Sequence, residues 1–336
     1  MELKEIQNLH SNQRLLVLEL QSRGVKLDLI DSSSELIEAS YNGHSEFLLD
    51  RDSSIIPYNT SIIVGDKILS KFLLYKAGIS INQGKVFWKD NLKEALSYAK
   101  TLGFPLVVKP NFGSHGDNVS MNLYNINKTK KAILSFIKEN RNKPFIIEKQ
   151  FNGKEYRIFI TKEGKYAVLH RDPAHVFGDG RHSLKELINI ENRKREARKN
   201  SLCLIKLDKE SKDYLNLLGK KLSDIPKKAE KVYIRANSNI ATGGFSEDYT
   251  NKVHPSVIKI AKKVLNVFHG MPYAGIDFMS KDILKEQTPD LYRIIEINSN
   301  PGIHMHASPG RGNKINIASI IADIIFPETK DIKKLN

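Results

Sequence analysis

The 336 residues, 40% hydrophobic and 27% charged, describe a globular protein with room for two or three lobes. No apolar run reaches membrane-spanning length, the start MELKEIQNLHSN is too polar for a secretory signal, and the lone Cys203 excludes a disulfide framework or a cysteine zinc site, so a cytoplasmic address is expected. The net charge of +15 leaves a choice between a solvated lysine-rich surface and attraction of an anionic substrate; without an aromatic-interleaved basic motif, no specific nucleic-acid partner is expected.

In chain order, residues 1–64 read as a small α/β lobe. NQRLLVLELQSRG has helical spacing ending at Gly24, and VKLDLID follows as a strand. GDKILSKFLLYKAGIS is a helix closing at Gly78; the helix NLKEALSYAKTLG runs into the strand PLVVKP. The middle alternates strands (FIIEKQ, EYRIFIT, YAVLHR, KVYIRANSN) with helices (SLKELINIEN, HPSVIKIAKKVLNVF), and Ser183 with Glu186 fits a capping box. Mostly antiparallel pairing is expected, hence α+β rather than repeating βαβ units. The densest basic run, ENRKREARKN at 191–200, reads as a solvated helical face or as an anion attractor, and KDIKKLN at 330–336 as a frayed tail, with 331–336 outside the lobes.

Chemistry gathers in four segments. In VVKPNFGSHGDNVSM, Lys109 closes an apolar strand before a turn containing Gly113 and Gly116. This is either an ordinary strand exit or a backbone cradle for an anion. In FIIEKQFNGKEYRIFIT, Glu148 and Lys149 end one strand while Glu155 and Arg157 begin another. A nucleotide slot with a carboxylate for the ribose is one reading, a salt-bridged exposed hairpin the other. In VYIRANSNIATGG, Arg235, Asn237 and Asn239 alternate onto one strand face, suited to a phosphate or carboxylate, or to an edge facing water.

The fourth segment pairs YAGIDFMS with LYRIIEINSN. The run RIIEIN reads as an interior strand, and period-two alternation puts Glu296 and Asn298 on the same face as Ile294. A buried carboxylate needs a partner. As a hairpin the two strands bring Asp277 to Glu296 and Asn298, a hard-oxygen cluster suited to Mg²⁺ bridging to nucleotide phosphates.

In this order the segments VVKP with its glycine turn, IIEKQ–GKEYR, IRANSN–TGG, GIDF and IIEINSNPG resemble the ATP-grasp ligases. More narrowly the chain resembles the ATP-grasp part of cyanophycin synthetases and the glutathione-synthetase module of bifunctional glutathione-forming enzymes, over roughly residues 60–327, including LHRDPAHVFGDGRHSLKELI and EINSNPGIHMHASPGRG. The resemblance implies a pre-ATP-grasp lobe at 1–64, a small lobe at 65–152 and a C-terminal lobe with the metal site at 153–330, the latter two clamping ATP. It implies Lys67 and Lys109 on the phosphates under a turn formed by Gly113, Ser114, His115 and Gly116. Glu148, Lys149, Gln150 and Phe151 would hold adenine, with Glu155 on the ribose. Asp277, Glu296 and Asn298 would bind two Mg²⁺ ions, with Mn²⁺ able to substitute. Arg157, Arg171, Arg235 and Asn239 would face the γ-phosphate or the acyl-phosphate made from it. The implied reaction phosphorylates a carboxylate with ATP, after which an amine attacks to give an amide, ADP and phosphate. It needs positioning and charge neutralisation, not a side-chain nucleophile.

Asn118 stands where such turns usually carry a second glycine, and asparagine tolerates the left-handed region such a turn uses. Only about 60 residues precede Lys67 and nine follow Pro327. A stand-alone ligase acting on an amino acid or short peptide is therefore expected, with homo-oligomerisation open. His304, His306 and Arg311 follow the metal strand, where they either meet the acceptor or pack the C-terminal helix. The competing reading is a catalytically silent ATP-binding scaffold or sensor.

Overall fold

The computed structural model describes residues 1–50, 52–113, 118–197 and 203–331. The opening unit runs α1 (Leu3–Asn8), α2 (Ser11–Ser22), β1 (Lys26–Asp31), β2 (Leu36–Tyr41), β3 (His44–Leu49) and β4 (Asp52–Ser53). Gly24 ends α2 in the left-handed region at φ 79°. The strands form a meander in the order β1-β2-β3-β4, antiparallel throughout. The unit expected as α/β is therefore an antiparallel layer under helices. Its β2–β3 hairpin turns at Asn42 and Gly43, both at positive φ (47° and 87°), the backbone a tight two-residue hairpin requires.

Two helices follow, α3 (Tyr58–Gly65) and α4 (Lys67–Lys76). Asp66 caps α4 by accepting from Ile68 N (2.9 Å) and Leu69 N (3.0 Å), worth about 1 kcal/mol. A second antiparallel sheet is built from β5 (Gly84–Phe87), α5 (Leu92–Leu102), β6 (Leu106–Pro110), β7 (Ser120–Leu123), α6 (Ile126–Glu139) and β8 (Phe145–Lys149), with strand order β5-β8-β6-β7. Phe87, Phe136 and Phe145 fill the layer between its strands and helices.

The largest sheet begins with β9 (Lys154–Thr161) and β10 (Tyr166–Asp172). An excursion through β11 (His175–Phe177), α7 (Leu184–Ala197), α8 (Lys209–Leu217) and β12 (Lys231–Tyr233) forms its own small core. The chain returns as β13 (Phe245–Asp248), α9 (Pro255–Val267), β14 (Tyr273–Ser280) and β15 (Tyr292–Asn298), then ends in α10 (His304–Ala307) and α11 (Ile317–Ile325). The strand order is β13-β10-β9-β14-β15. Strand alternation divides the two faces. Tyr156, Ile158, Ile160, Val168, Ile276 and Phe278 pack with α9 in one core, each contributing about 1.5–3 kcal/mol. On the other face Phe159 and Tyr273 reach the core shared by α2, β2 and α11.

Three expectations change here. KVYIRANSN is a strand only to Tyr233, because β12 pairs over three residues with β11 and the chain then leaves the sheet. FIIEKQ and EYRIFIT are not a hairpin, since β8 and β9 lie in different sheets. RIIEIN is an edge strand, and Ile295 is an extra residue between the pairs Phe278↔Ile294 and Asp277↔Glu296. This bulge reverses the alternation. Ile294 and Ile297 both enter the α9 core, which leaves Glu296 and Asn298 on the opposite face from Ile294. The capping box is present: Ser183 N donates to Glu186 Oε2 at 2.8 Å. Among the described residues no helix is long and apolar enough to cross a membrane.

Candidate active site

Asp277 and Glu296 are direct register partners, and Gly275 pairs with Asn298 two residues along, on the same face. The hairpin therefore assembles the three oxygen-bearing side chains. Next to Asp277 on β9 is Arg157, whose Nε lies 2.6 Å from Asp277 Oδ1. From β10, Arg171 Nη2 reaches Asp277 Oδ2 at 3.0 Å and also pairs with Glu155. Burial works to raise the Asp277 acid, but the Arg157 and Arg171 guanidiniums outweigh it and hold the carboxyl below its usual range. Glu296 goes the other way: burial raises it, and the neighbouring Asp277 charge adds to that rise. Gly275 leaves the space this needs, since a Cβ there would sit 2.6 Å from Pro301 Cβ and 3.1 Å from an Arg157 guanidinium nitrogen.

Within electrostatic reach of Glu296 stands a second cluster. Lys109, at the end of β6, pairs with Glu148 Oε2 at 2.9 Å, and Lys71 from α4 pairs with the same carboxylate's Oε1. All three are buried. Burial pushes the Lys71 ammonium down to about 8, against Glu148 and assisted by Lys109. Burial also opposes the charge on Lys109, but there Glu148 prevails and the pKa is raised. Lys67, at the first turn of α4, donates to Gly113 O at 2.6 Å and lies 3.7 Å from Glu296 Oε2, so it joins the two clusters.

The remaining expected residues divide. Gly113 is in the positive-φ region at 125° and Asn118 at 57°; Ser114, His115 and Gly116 lie outside the described residues. Lys149 Nζ donates to Phe104 O (2.6 Å) and Gln150 Nε2 to Asn122 Oδ1 (2.8 Å), which fastens this connection to neighbouring loops. The Phe151 ring lies under the Arg293 guanidinium, 4.9 Å away. Arg235 is 1% exposed and turned to Asp208 and Glu210 rather than to the Asp277 cluster. Asn239 Oδ1 accepts from Ala241 N at 2.9 Å and caps a short helical turn. His306 is buried, its Nδ1 without a hydrogen-bond partner. Burial, with Arg157, His304 and Arg171 adding, lowers its pKa to about 3. Arg311 is not with the other two acceptor candidates. It lines a cavity of about 500 Å³ shared with Lys154, His170 and Phe245, and His170 packs against Tyr156, on the α9 side of the sheet.

Sequence reasoning missed Lys71 and Ser238. Lys71 reads as one more lysine on an amphipathic helix, yet it faces Glu148. Ser238 donates to Glu155 and ties the loop after β12 to the site. The basic run on α7 also hides a structural member: Arg195 is buried, its Nη1 donating to Cys203 O and Gly243 O at 2.7 Å each.

The donor set fits a divalent hard cation. Asp277 Oδ1 accepts no hydrogen bond, and Asp277 still raises the Glu296 acid despite the flanking cations, a repulsion that an added divalent cation relieves. Among the described residues no group of three or more His, Cys, Asp or Glu is arranged to hold a metal; this set is two carboxylates and an amide.

Comparison with known proteins gives the chain its relatives. Residues 64–191 match the RimK-like ATP-grasp domain. The chain is 30% identical to cyanophycin synthetase of Crocosphaera subtropica, over 97% of this chain and 38% of that protein. It is also 30% identical to the glutathione biosynthesis bifunctional protein GshAB of Clostridium perfringens, over 95% of this chain and 41% of that protein. The crystal structure of a bifunctional glutathione synthetase from Pasteurella multocida superposes with a TM-score of 0.67 at 28% identity, covering 94% of this chain and 44% of that one. The chain thus spans about two fifths of the curated relatives it matches.

Proposed function

Because the chain carries a RimK-like ATP-grasp domain, we propose that it is an ADP-forming, Mg·ATP-dependent carboxylate–amine ligase that makes an amide through an acyl-phosphate, with an amino acid or short peptide as substrate. The observation that carries this reading is the Asp277–Glu296 register pair, flanked by Arg157 and Arg171 on one side and by Lys67 on the other. Residues 1–64, 65–152 and 153–330 then serve as the leading, small and metal-bearing lobes.

In this mechanism Lys67 and Lys109 take the nucleotide phosphates, each already held close to an acidic partner that orients it. Lys71 keeps Glu148 compensated when Lys109 turns to a phosphate. Asp277, Glu296 and Asn298 hold magnesium, which when bound supplies charge neutralisation of the phosphates. Arg157 and Arg171 neutralise the oxygens of the transferring group, and Ser238 and Arg171 steady Glu155 at the ribose. The amine attacks from the side of the 299–307 turn. The cyanophycin synthetase and glutathione biosynthesis relatives support an amino-acid or peptide substrate.

The test is ADP release from Mg·ATP with a panel of amino acids and dipeptides, with products weighed by mass spectrometry. Amine-stimulated release with a product heavier by the acceptor minus water is expected. No stimulation across the panel would return the chain to the ATP-binding scaffold.

A further inference from the structure

We propose that the outward side of α3 and α4 is the surface on which a second copy of this chain docks, forming a two-fold dimer about Phe72. The inference goes beyond the ligase reading and does not depend on it. On α4, Leu69, Phe72 and Tyr75 are 47%, 55% and 71% exposed, and their three-residue spacing sets them side by side on the helix surface. On α3, Tyr58 and Ile62, 78% and 51% exposed, are four residues apart and likewise adjacent. The two helices pack on each other and both lie against the edge strand β15, so their exposed sides look away from the same strand. A surface helix ordinarily turns charge to the water. Here the charges are used elsewhere: Lys67 reaches Gly113 and Glu296, Lys71 is buried against Glu148, and Asp66 caps α4. From Pro57 to Tyr75 no exposed residue is charged, in a chain that is 27% charged.

Three aromatic and two aliphatic side chains at these exposures offer on the order of 600 Å² of apolar surface. That is the top of the range a monomer leaves open. It matches the apolar share, roughly 500 Å², of the surface each partner buries in a standard dimer. The order of the stripe selects the occupant. Phe72 lies midway between Leu69 and Tyr75, so a two-fold axis through it sets Leu69 on the partner's Tyr75 and Tyr75 on the partner's Leu69, small against large. Lys76, at the margin with its ammonium 5.0 Å from the Phe72 ring centre, then lies about 12 Å along the helix from its counterpart. An acidic partner would need positive charge that this face does not offer. The net charge of +15 acts on the pair as a whole, as a repulsion that salt screens.

Sedimentation velocity of the full chain across the micromolar range tests this. A species of twice the chain's mass is expected, tightening as salt is raised because screening relieves the repulsion. Phe72→Asp sets two carboxylates at the axis and should raise the dissociation constant by about 10²-fold or more. Leu69→Asp and Tyr75→Lys should each weaken the dimer. Combined, they should recover about tenfold or more, since opposite charges then meet across the axis. All three positions are exposed, so each variant should melt at the wild-type temperature. A wild type that stays monomeric leaves the face to some other protein and sinks the proposal. A dimer indifferent to Phe72→Asp, or one that salt dissociates, sinks it equally. No recovery in the double variant overturns the axis at Phe72.

Discussion

The two buried charge clusters that Lys67 joins are built on opposite plans. Around Glu148 every carboxylate oxygen has its own ammonium, from Lys71 and from Lys109, and one positive charge is left over. Around Asp277 the sheet instead sets two carboxylates side by side and leaves Arg157, Arg171 and Lys67 to quiet them. The first cluster is complete without a ligand and offers a cation to an anion. The second carries a built-in repulsion that favours an added divalent cation. Buried charge serves architecture in one place and chemistry in the other.

Substitutions can break that contrast. Glu296→Gln removes the repulsion and a metal oxygen at nearly constant volume, so ADP release should fall by at least about 10²-fold with an unchanged melting temperature. Turnover near wild type would refute the metal assignment. Glu148→Gln should do the reverse and act chiefly on the fold. Two buried ammoniums lose their counter-ion, at about 3–5 kcal/mol in urea unfolding. Lys71→Met leaves the Lys109–Glu148 pair in place and should cost only about 0.5–3 kcal/mol; a cost equal to that of Glu148→Gln would mean the two lysines are not alternatives.

The pH response sharpens the comparison further. His306 is held neutral, its pKa lowered from 6.5 to about 3. Between those values the unfolded chain binds a proton that the folded chain does not. Stability is therefore lost as pH falls through that window, at no more than about 1.4 kcal/mol per unit. Thermal melts of His306→Gln should be flatter over the same range than those of wild type. The smallest effect expected is that of Ser183→Ala, which touches neither cluster and should cost about 1 kcal/mol through the lost cap.

Much of this was readable from residue order. The meeting of Asp277, Glu296 and Asn298 needed only two strands, a polar loop between them and the assumption of a hairpin. The facing of Glu296 did not follow, because a bulge at Ile295 obeys the pairing of a neighbouring strand rather than any local pattern. Arg235 defeated the strand reading for a similar reason: its partners Asp208 and Glu210 lie in a different stretch of chain. Lys71 was invisible because helical spacing cannot distinguish a lysine facing water from one facing a buried glutamate. The β2–β3 hairpin was missed although Asn42-Gly43 announces it, because the strands beside it are mixed in polarity and lack clean alternation. Asn12, whose Oδ1 accepts from Ile303 N and His304 N, could not have been found, as these partners are nearly the whole chain away.

The core that joins α2 and β2 to α11, tied by Arg23 to Asp323 at 2.8 Å across 300 residues, has a consequence for synthesis. The opening meander leaves the ribosome with its apolar side bare. At ordinary elongation speeds it waits roughly 15–60 s for the segment that seals it. Nascent chains halted before residue 317 should therefore recruit chaperones and yield to protease at the β1–β3 region, while the same region of the released protein resists.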